Sequence, residues 1–576
     1  MQSVQVWEGG RAMEMRRDAV TVGLDFGTLS VRALCVRVSD GAELGAASVP
    51  YAHGVMDSVL SAPSGEIPLP PNWALESPRD YLDALSAVIP AALETAGVSP
   101  EQVIGVGVDF TTCTLLPTRA DGSPLCFEAA FECEPNAWVK LWKHHGAQRF
   151  ADRINEAAAE RGEDWLARYG GRVSSEWMFP KIMETLEEAP AVYEAADVFL
   201  DAADWIVWML TGRLTRNSCI AGYKALWCGG YPSKDFFRAL DPRLENVVAE
   251  KLPGPVIPVG TRAGVLNETG AALTGLCPGT AVAVGHTDAH VAAPALKIAE
   301  PGRMMALVGT STTLLVCAER YVPVPGVCGI VKDGILPGLW GYEAGLGCVG
   351  DAFAWFADNC LSPALLDEAR ERNVAPVSLL TEKIGAMEPG ECGVMALNWW
   401  NGNRNPLGDG DLSGMFVGMN LTTGPVDMFR ALVEATAFGT RLIIENLREH
   451  GVAVNEFIAS GGIPRKAPSV MQIYADVLGM DVRIAGTKEG PARGSAVYAA
   501  LAAGAESGGY DTLTEAASRM GTGPVRTYAP DGKRHAVYEP LYRDYLTLID
   551  YFGRGGNDIM KRLLNLKREM KGKQDG

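Results

Sequence analysis

The 576-residue sequence predicts an α/β protein with two domains. At roughly 100–200 residues per domain, this length is too great for one ordinary hydrophobic core. Candidate strands and amphipathic helices alternate along the chain. A strand, a Gly-Thr turn and a second strand occur at 22–38 and again at 305–317. These two copies, about half a chain apart, indicate two related domains that face one another.

Hydrophobic periodicity predicts the elements of the first half. Alternating apolar residues are typical of strands, whereas apolar residues three and four apart are typical of helices. Ser77-Pro78 is a good helix start. The predicted elements are strands at 20–26, 31–38 and 103–110, and helical segments at 78–97, 136–169 and 198–210.

The second half repeats this alternation and ends in a tail of different composition. The tail is Gly-rich from Gly553 and then basic, which is typical of a solvated helix or a frayed end. The predicted elements are strands at 303–308, 314–317, 457–463 and 482–485, and helices at 428–449, 469–478 and 492–503.

Composition excludes several classes of protein. A hydrophobic share of 47% and a charged share of 21% exclude wholesale disorder. The net charge of −18 repels phosphate polymers and argues against a dedicated nucleic-acid binder, although one local site for a nucleotide remains compatible with it. Apolar stretches end well before the ~20 residues of a membrane helix, so we expect no membrane span.

The first twenty residues and the cysteines indicate a reducing location. The N-terminal segment has no apolar core fit for a secretory signal. None of the twelve cysteines forms a C-x-x-C pair, so zinc-ribbon spacing is absent. We therefore expect a cytoplasmic protein whose thiols are reduced and mostly act as small buried apolar groups.

Two turns have the features of phosphate-binding loops. In Asp25-Phe26-Gly27-Thr28, backbone N–H groups can cradle phosphate oxygens, and Asp25 can hold Mg²⁺ directly or through water. Alone, this motif also fits an ordinary hairpin. The second turn, Gly309-Thr310-Ser311, favours the phosphate interpretation, because two such turns, one per domain, would grip a nucleotide triphosphate across a cleft.

Two further segments carry candidate site residues. Asp288, in Gly285 to His290, follows an apolar run and is predicted at a strand end as a general base for an attacking hydroxyl. A competing hypothesis is a zinc site made by His286 and His290, which are four residues apart. Gly461-Gly462 follows an apolar strand, where a flat ring or a ribose can lie against the backbone, or where the glycines form a plain strand-to-helix turn.

One glycine pattern is expected to be a coincidence. Gly345, Gly347 and Gly350 match G-x-G-x-x-G, but a dinucleotide site needs a leading strand, and 340–343 is a poor strand by sequence. The P-loop pattern and the H-R-D loop of protein kinases are both absent from the sequence.

Taken in this order, the motifs resemble the FGGY family of carbohydrate kinases over about residues 18–552. Asp25 to Thr28 resembles the first phosphate motif and Gly309 to Ser311 the second, while Ser460 to Gly462 resembles the adenosine motif. The resemblance implies ATP and Mg²⁺ as cofactors and two ribonuclease H-like (actin/hexokinase-like) domains around a central cleft. The implied division is a sugar-side domain at 18–298, a nucleotide-side domain at 299–552 and a basic tail at 553–576.

Within the family, the strongest resemblance is to members that phosphorylate L-ribulose in L-arabinose catabolism. It implies a sugar pocket that includes Thr112, Lys224, Asp288 and Glu343, with Asp288 as the catalytic base, and it allows a homodimer. Thr112 departs from the alanine often found there in these members, which affects sugar selectivity. The alternatives are another ketopentose or pentitol (D-ribulose, D-xylulose or ribitol) as substrate, or a non-enzymatic actin-like nucleotide switch.

Overall fold

The computed structural model describes residues 18–572. Predictions for residues 1–17 and 573–576 lie outside these residues. The chain forms two compact units, and each unit is discontinuous in sequence. The first unit contains the described residues up to Glu300 together with two later segments, Ile330–Gly341 and Thr487–Gly523. The second unit contains Pro301–Gly329, Tyr342–Gly486 and the described residues from Pro524 onward.

The described residues contain strands and α-helices in both units. The strands are β1 (Val20–Phe26), β2 (Ser30–Arg37), β3 (Glu43–Pro50), β4 (Val59–Ala62), β5 (Gly65–Pro68), β6 (Leu75–Glu76), β7 (Val103–Phe110), β8 (Leu115–Thr118), β9 (Val139–Lys140), β10 (Val198–Asp201), β11 (Arg216–Asn217), β12 (Val256–Ile257), β13 (Arg262–Val265), β14 (Ala281–Ala283), β15 (His286–Thr287), β16 (Arg303–Val308), β17 (Thr312–Ala318), β18 (Gly329–Lys332), β19 (Trp340–Leu346), β20 (Met395–Leu397), β21 (Met415–Val417), β22 (Glu456–Ser460), β23 (Val482–Ile484) and β24 (Arg526–Tyr528). The helices are α1 (Pro78–Ala96), α2 (Gln148–Arg161), α3 (Met178–Glu188), α4 (Pro190–Ala195), α5 (Ala202–Thr211), α6 (Ser218–Lys224), α7 (Lys234–Leu240), α8 (Val247–Lys251), α9 (Glu268–Thr274), α10 (Asp288–Ala295), α11 (Gly350–Asn359), α12 (Pro363–Glu371), α13 (Pro376–Gly385), α14 (Pro425–Glu449), α15 (Gly462–Lys466), α16 (Pro468–Leu478), α17 (Gly490–Ala503), α18 (Leu513–Met520), α19 (Gly532–Gly553) and α20 (Ile559–Gly572).

The main sheet of the first unit has the strand order β13-β14-β7-β1-β2-β3, and β15 also pairs with β7. The β1–β2 pair is the antiparallel hairpin that the sequence predicts. Strand β1 runs parallel to β7, with Asp25 opposite Asp109, and β15 runs parallel to β7, with His286 opposite Asp109. The carboxyl ends of β1, β7 and β15 therefore meet at one edge of this sheet.

A glycine stripe lets α17 pack unusually close to this sheet. A Cβ atom at Gly23 on β1 would overlap the carbonyl oxygen of Ala492, and one at Gly107 on β7 would overlap that of Ser495. Because these positions carry no side chain, the backbone of α17 lies directly against the two central strands. The close approach brings Ser495 within reach of the strand ends.

The second unit repeats the arrangement of a hairpin beside a parallel strand. Strands β17, β16, β22, β23 and β24 lie side by side in that order. Strand β16 is antiparallel to β17 and parallel to β22, with Leu307 opposite Ser460. The carboxyl ends of β16 and β22 meet at one edge. Two sheet-rich α/β units confirm the predicted class.

Several sequence predictions coincide with the structure and others are wrong. The predicted strands at 103–110 and 303–308 have the observed bounds. The helix predicted over 136–169 is an α-helix only in Gln148–Arg161, because the residues before it contain a short strand, Val139–Lys140, that pairs in a second sheet. The segment 198–210 begins as strand Val198–Asp201, and its apolar residues pair with β8.

The segment that leads into the G-x-G-x-x-G pattern is also different from the prediction. Trp340–Leu346 is a strand, although the sequence indicates a poor one. The predicted strand 457–463 ends at Ser460, because Gly461 takes a positive φ of 112° and α15 follows. Within the described part of the chain, no helix has both the length and the apolar character needed to cross a bilayer.

Candidate active site

Three carboxylates lie at the carboxyl edge of the first unit's main sheet. Asp25 is the penultimate residue of β1, Asp109 is its parallel neighbour on β7, and Asp288 follows β15 directly as the first residue of α10. Parallel strands deliver their C-terminal residues to the same edge, where open α/β sheets place ligands. The topology therefore collects three acidic groups from three distant parts of the sequence.

Asp109 is the most buried member of this acidic group. Its Oδ2 atom accepts a hydrogen bond of 2.6 Å from the Ser495 hydroxyl on α17, and its Oδ1 atom is buried without a hydrogen-bond partner. Burial, then the neighbouring Asp25 carboxyl, raises the pKa of Asp109 well above its usual range. An unsatisfied buried carboxylate oxygen is costly unless a ligand or ion completes its contacts.

Asp25 lies between the other acidic side chains and a basic one. Burial raises its pKa, and the Arg32 guanidinium, 3.9 Å away, opposes that increase. Arg32 also lies 3.7 Å from Glu489. The negative charge of Asp25 is thus disfavoured by burial and favoured by the nearby Arg32 guanidinium.

Asp288 is partly exposed and combines a raised pKa with a defined orientation. Its Oδ1 atom accepts a hydrogen bond of 2.7 Å from the Ala289 N–H in the first turn of α10. Burial, followed by the charge of Asp25, raises its pKa to about 7. A carboxylate that exchanges its proton near neutral pH, and that is still accessible, suits a general base.

The turn after β1 has an open backbone face. Gly27 N–H donates to the Ser30 carbonyl at 3.0 Å, and the Thr28 hydroxyl accepts a hydrogen bond of 3.1 Å from the Trp142 indole. The backbone of Gly27 does not adopt positive φ, and a Cβ there would make only an ordinary contact. The fold itself does not demand glycine at this position, so the missing side chain leaves room for another molecule.

Thr112 and Lys224 belong to the same unit as the acidic group. Thr112 lies in the turn after β7, and its hydroxyl oxygen is buried without a hydrogen-bond partner. Lys224 is the last residue of α6, is buried, and has its ammonium nitrogen 5.8 Å from the centre of a Trp177 ring. Burial raises the pKa of the Cys113 thiol beside Thr112, and the charge of Lys224 opposes that increase, so the two candidate sugar-binding residues lie in the same region of the first unit.

Local contacts fix the helix that carries Lys224. The Asn217 side chain caps α6 by accepting from the Ile220 N–H at 2.7 Å, and Asp204 in turn accepts from the Asn217 amide at 2.8 Å. The Tyr169 hydroxyl donates to the Gly222 carbonyl at 2.6 Å. These contacts orient the last turn of the helix.

The two histidines flanking Asp288 do not share a helix face. His286 lies on β15 and His290 on α10, with ring centres 6.4 Å apart. His290 Nδ1 is 3.0 Å from the Cys219 sulfur. Residues 18–572 contain no group of three His, Cys, Asp or Glu side chains arranged to hold a metal. The histidine pair has the contacts of a structural hydrogen-bonded group, and the twelve cysteines are free thiols.

In the second unit, the turn at 309–311 and the glycines at 461–462 follow parallel neighbours. The Gly309 N–H donates to the Ser311 carbonyl at 2.9 Å, and the Val349 N–H donates to the Thr310 carbonyl at 2.8 Å. A Cβ at Gly461 would overlap the Val308 carbonyl, whereas one at Gly462 would meet no atom within 4 Å. Gly461 is therefore required by the fold, and Gly462 leaves an open surface.

The G-x-G-x-x-G glycines support this turn. A Cβ at Gly345 would overlap the Thr312 carbonyl, and one at Gly350 would press on the Gly309 carbonyl. Because Gly345 and Gly350 have no Cβ atoms, β19 and the start of α11 can lie close to the 309–311 turn. Glu343 lies on the same strand β19 in the second unit and is buried.

Asp109 and Ser495 are the site residues that sequence reasoning missed. A signal for Asp109 exists, because β1 and β7 both end in Gly-x-Asp-Phe, at Gly23 to Phe26 and Gly107 to Phe110. Two strands with the same ending are good candidates for adjacent parallel strands. Ser495 carries no comparable signal, since it reaches the site only through the packing of α17.

Comparisons with known proteins agree with this geometry. Residues 20–294 match the N-terminal domain of the FGGY family of carbohydrate kinases, and residues 304–503 match its C-terminal domain. A protein of Geobacillus thermodenitrificans named ribulokinase is 51% identical over 551 residues, which cover 95% of this chain and 97% of that protein. A ribulokinase of Mycolicibacterium smegmatis is 47% identical over 543 residues, covering 94% of this chain and 95% of that one.

Solved structures of sugar kinases have the same fold. A xylulose kinase from Rhodospirillum rubrum superposes with a TM-score of 0.74 at 26% identity, covering 92% of this chain and 98% of that one. A glycerol kinase from Plasmodium falciparum with ADP superposes with a TM-score of 0.71 at 17% identity, with the same coverage. The predicted actin/hexokinase-like fold is confirmed. The chain belongs to the FGGY family of carbohydrate kinases and is a sugar kinase, a phosphotransferase that takes ATP and a sugar as its substrates.

Proposed function

We propose that this enzyme transfers the terminal phosphoryl group of ATP to the 5-hydroxyl of L-ribulose, as a step of L-arabinose catabolism. The relatives about half identical to this chain over nearly its full length carry the name ribulokinase, which supports this choice of sugar. The observation that carries the chemistry is the position of Asp288, a partly exposed carboxylate that follows β15 at the carboxyl edge of the main sheet and is oriented by the Ala289 N–H.

Asp288 would act as the general base. The ionised carboxylate accepts the proton of the sugar's 5-hydroxyl while that oxygen forms its bond to the γ-phosphorus, and the bond from this phosphorus to the bridging oxygen of ADP breaks. A positioned base typically contributes about 10²–10⁴-fold to the rate. Most of the remaining catalysis in phosphoryl transfer comes from in-line placement and charge neutralisation.

Asp25 and Asp109 fit the oxygen ligands that Mg²⁺ prefers. The buried, unpartnered Oδ1 atom of Asp109 beside Asp25 is the observation that favours a cation here. Mg²⁺ keeps several waters and usually takes one or two carboxylates, so two suffice. Bound there, the ion would neutralise charge on the phosphates of ATP. Asp25 and Asp109 would bind it, and the Ser495 hydroxyl would orient Asp109.

The candidate sugar contacts are Thr112, Lys224, Asp288 and Glu343. A ketopentose presents only hydroxyl and carbonyl oxygens, so its pocket needs donors such as Lys224 and acceptors such as Glu343. A buried group that hydrogen-bonds one substrate hydroxyl rejects analogues lacking it, because the group is then left unpaired.

The backbone turns would bind the nucleotide. We assign Gly27, Thr28, Gly309, Thr310 and Ser311 to phosphate binding, and Gly461-Gly462 to adenosine binding. The N–H groups of Gly27 and Gly309 donate within their own turns. The other N–H groups of these turns, together with Mg²⁺, would hold the anion against a chain whose net charge is −18. The central cleft, domains divided near residue 298, a homodimer and a cytoplasmic location stay predictions.

A panel of sugars tests this function directly. ADP release is measured with L-ribulose, D-ribulose, D-xylulose, L-xylulose, ribitol and glycerol at saturating ATP and Mg²⁺. The highest kcat/KM is expected for L-ribulose. A preference for D-xylulose would reassign the substrate within the family, and ATP binding with no sugar-stimulated turnover would replace the proposal with a nucleotide switch.

A further inference from the structure

Lys181 is a buried cation on α3 whose side-chain hydrogen bonds all go to main-chain carbonyls. Its side chain has no exposure to solvent. The ammonium group donates to the carbonyl oxygens of Cys113 at 2.6 Å, Leu141 at 2.8 Å and Lys140 at 3.3 Å. No carboxylate within 18–572 pairs with it. Burying a lysine without an acidic partner is costly, so its three hydrogen bonds to one region call for an explanation.

The carbonyl of Cys113 belongs to a strained turn. Cys113 has φ of 61°, in the left-handed region that non-glycine residues rarely adopt. Lys181 holds its carbonyl on one side, and on the other the Thr114 N–H donates to Asp201 Oδ2 at 3.1 Å. Strained residues persist where the surroundings fix them, and they cluster at functional sites.

This turn presents one unpaired hydroxyl. The hydroxyls of Thr111 and Thr114 contact each other at 3.0 Å, whereas Thr112 Oγ1 is buried without a partner. A buried hydroxyl with no partner is what a polar ligand would complete. The unpaired Thr112 hydroxyl therefore lies directly before the strained residue Cys113, whose carbonyl accepts a hydrogen bond from Lys181.

The same face of α3 also contacts the second candidate sugar-binding residue of this unit. Trp177, at the start of α3, lies four residues before Lys181, and residues at this spacing share a helix face. The Lys224 ammonium lies 5.8 Å from the Trp177 ring centre. Two residues on one turn of α3 therefore lie beside the candidate sugar contacts. Lys181 binds the carbonyl of Cys113, which follows Thr112, and the Trp177 ring lies beside Lys224.

We propose that Lys181 is a positioning residue for sugar specificity, because it fixes the turn that carries the Thr112 hydroxyl. The proposal rests on the proposed function of Thr112 as a sugar contact. A lysine suits the position because three carbonyl oxygens converge there and its ammonium supplies three donors. A neutral side chain of similar length would fill the space without holding the turn.

The first experiment compares Lys181→Met with wild type on the sugar panel. We expect KM for the preferred ketopentose to rise about tenfold and the preference over its epimer to fall by a similar factor, because the Thr112 hydroxyl loses its orientation. KM for ATP should rise much less than KM for the sugar, since Lys181 bonds to none of the residues that we assign to the nucleotide. Lys181→Gln, which keeps an amide donor, replaces Lys181→Met if the latter is not obtained folded, with the same expected direction.

A matched control is Lys251→Met. Lys251 also donates to a main-chain carbonyl, that of Ala196 at 2.6 Å, but it lies on α8 and takes no part in the proposed site. Its substitution should leave sugar selectivity unchanged. Equal losses of selectivity in both variants would overturn the proposal, because they would indicate a general loss of order.

The second experiment removes the strain itself. Glycine adopts positive φ without penalty, so Cys113→Gly should make the turn less dependent on Lys181. We expect the double variant Cys113→Gly/Lys181→Met to recover part of the sugar preference lost in Lys181→Met. No recovery, or unchanged selectivity in Lys181→Met, refutes this inference alone. Absence of ketopentose turnover in the wild type refutes the proposed function.

Discussion

Asp288→Asn separates catalysis from stability, because the proposed base is also a carboxylate that the fold holds unfavourably. The amide is nearly isosteric but accepts no proton. We expect kcat to fall about 10²–10⁴-fold, the usual contribution of a general base, while KM for ATP stays close to that of the wild type. Turnover is measured by coupled ADP detection with L-ribulose across pH 5.5–9.

The pH profile follows from the pKa of about 7. The base acts when ionised, so a group with this pKa is about nine-tenths ionised at pH 8 and about one-tenth at pH 6. Wild-type kcat/KM should therefore fall roughly tenfold from pH 8 to pH 6. The residual activity of Asp288→Asn should lack this acid limb.

Asp288→Asn should lower turnover, but it should not lower the melting temperature of the protein. The folded pKa of Asp288 is raised from 3.8 to about 7, so its contribution to stability is full below pH 4 and is lost as pH rises to 7. Above pH 7, ionisation costs at most about 4 kcal/mol, and less because the side chain is partly exposed to water. Asp288→Asn should thus melt at or above the wild-type temperature at pH 8, and the difference should close near pH 4.

Asp204→Asn is the control for this experiment. Burial also raises the pKa of Asp204 to about 7, but its Oδ1 atom accepts from the Asn217 backbone and side chain. Its substitution should keep the acid limb of kcat/KM. The reasoning fails if Asp288→Asn retains wild-type turnover, or if the acid limb disappears in Asp204→Asn.

Three further substitutions test separate parts of the site. Asp109→Asn should raise the Mg²⁺ concentration needed for half-maximal turnover at least tenfold, because an amide replaces one proposed carboxylate ligand. The rate is measured against the concentration of free Mg²⁺, and an unchanged titration would exclude Asp109 as a Mg²⁺ ligand. Gly462→Ala should raise KM for ATP severalfold with little change in the melting temperature, since a Cβ at this position meets no atom of the chain within 4 Å. An unchanged KM for ATP would remove the adenosine assignment. Gly107→Ala should destabilise the protein by about 1–3 kcal/mol in thermal unfolding, because its Cβ overlaps the Ser495 carbonyl; unchanged stability would show that α17 moves aside without cost.

Short sequence patterns predict the hairpins and many of the helices, but they do not predict which distant segments pair or pack together. The hairpins around Gly27-Thr28 and Gly309-Thr310 follow from alternation and turn residues, which act over a few positions. The strand 340–346 was not expected, because its identity depends on pairing partners that a window of sequence does not contain.

Some residues of the candidate site can be predicted from local sequence, and others join the site only through tertiary contacts. Asp25 and Asp288 can be predicted because they lie near the carboxyl end of an apolar run or shortly after it. Asp109 becomes a neighbour of Asp25 only through the parallel register of β1 and β7. Ser495 and Asp109 are 386 residues apart in the sequence. A pattern that repeats every two or four residues cannot predict a contact between residues so far apart.

The late position of α17 in the chain has a consequence for biosynthesis. The helix starts at Gly490, yet it covers β1 and β7 of a sheet whose strands are all translated by residue 287. At about 5–20 residues per second, the roughly 200 intervening residues take about 10–40 s to emerge from the ribosome. During that interval the nascent first unit lacks its covering helix, so we expect the sheet face around Gly23 and Gly107 to stay uncovered until α17 emerges.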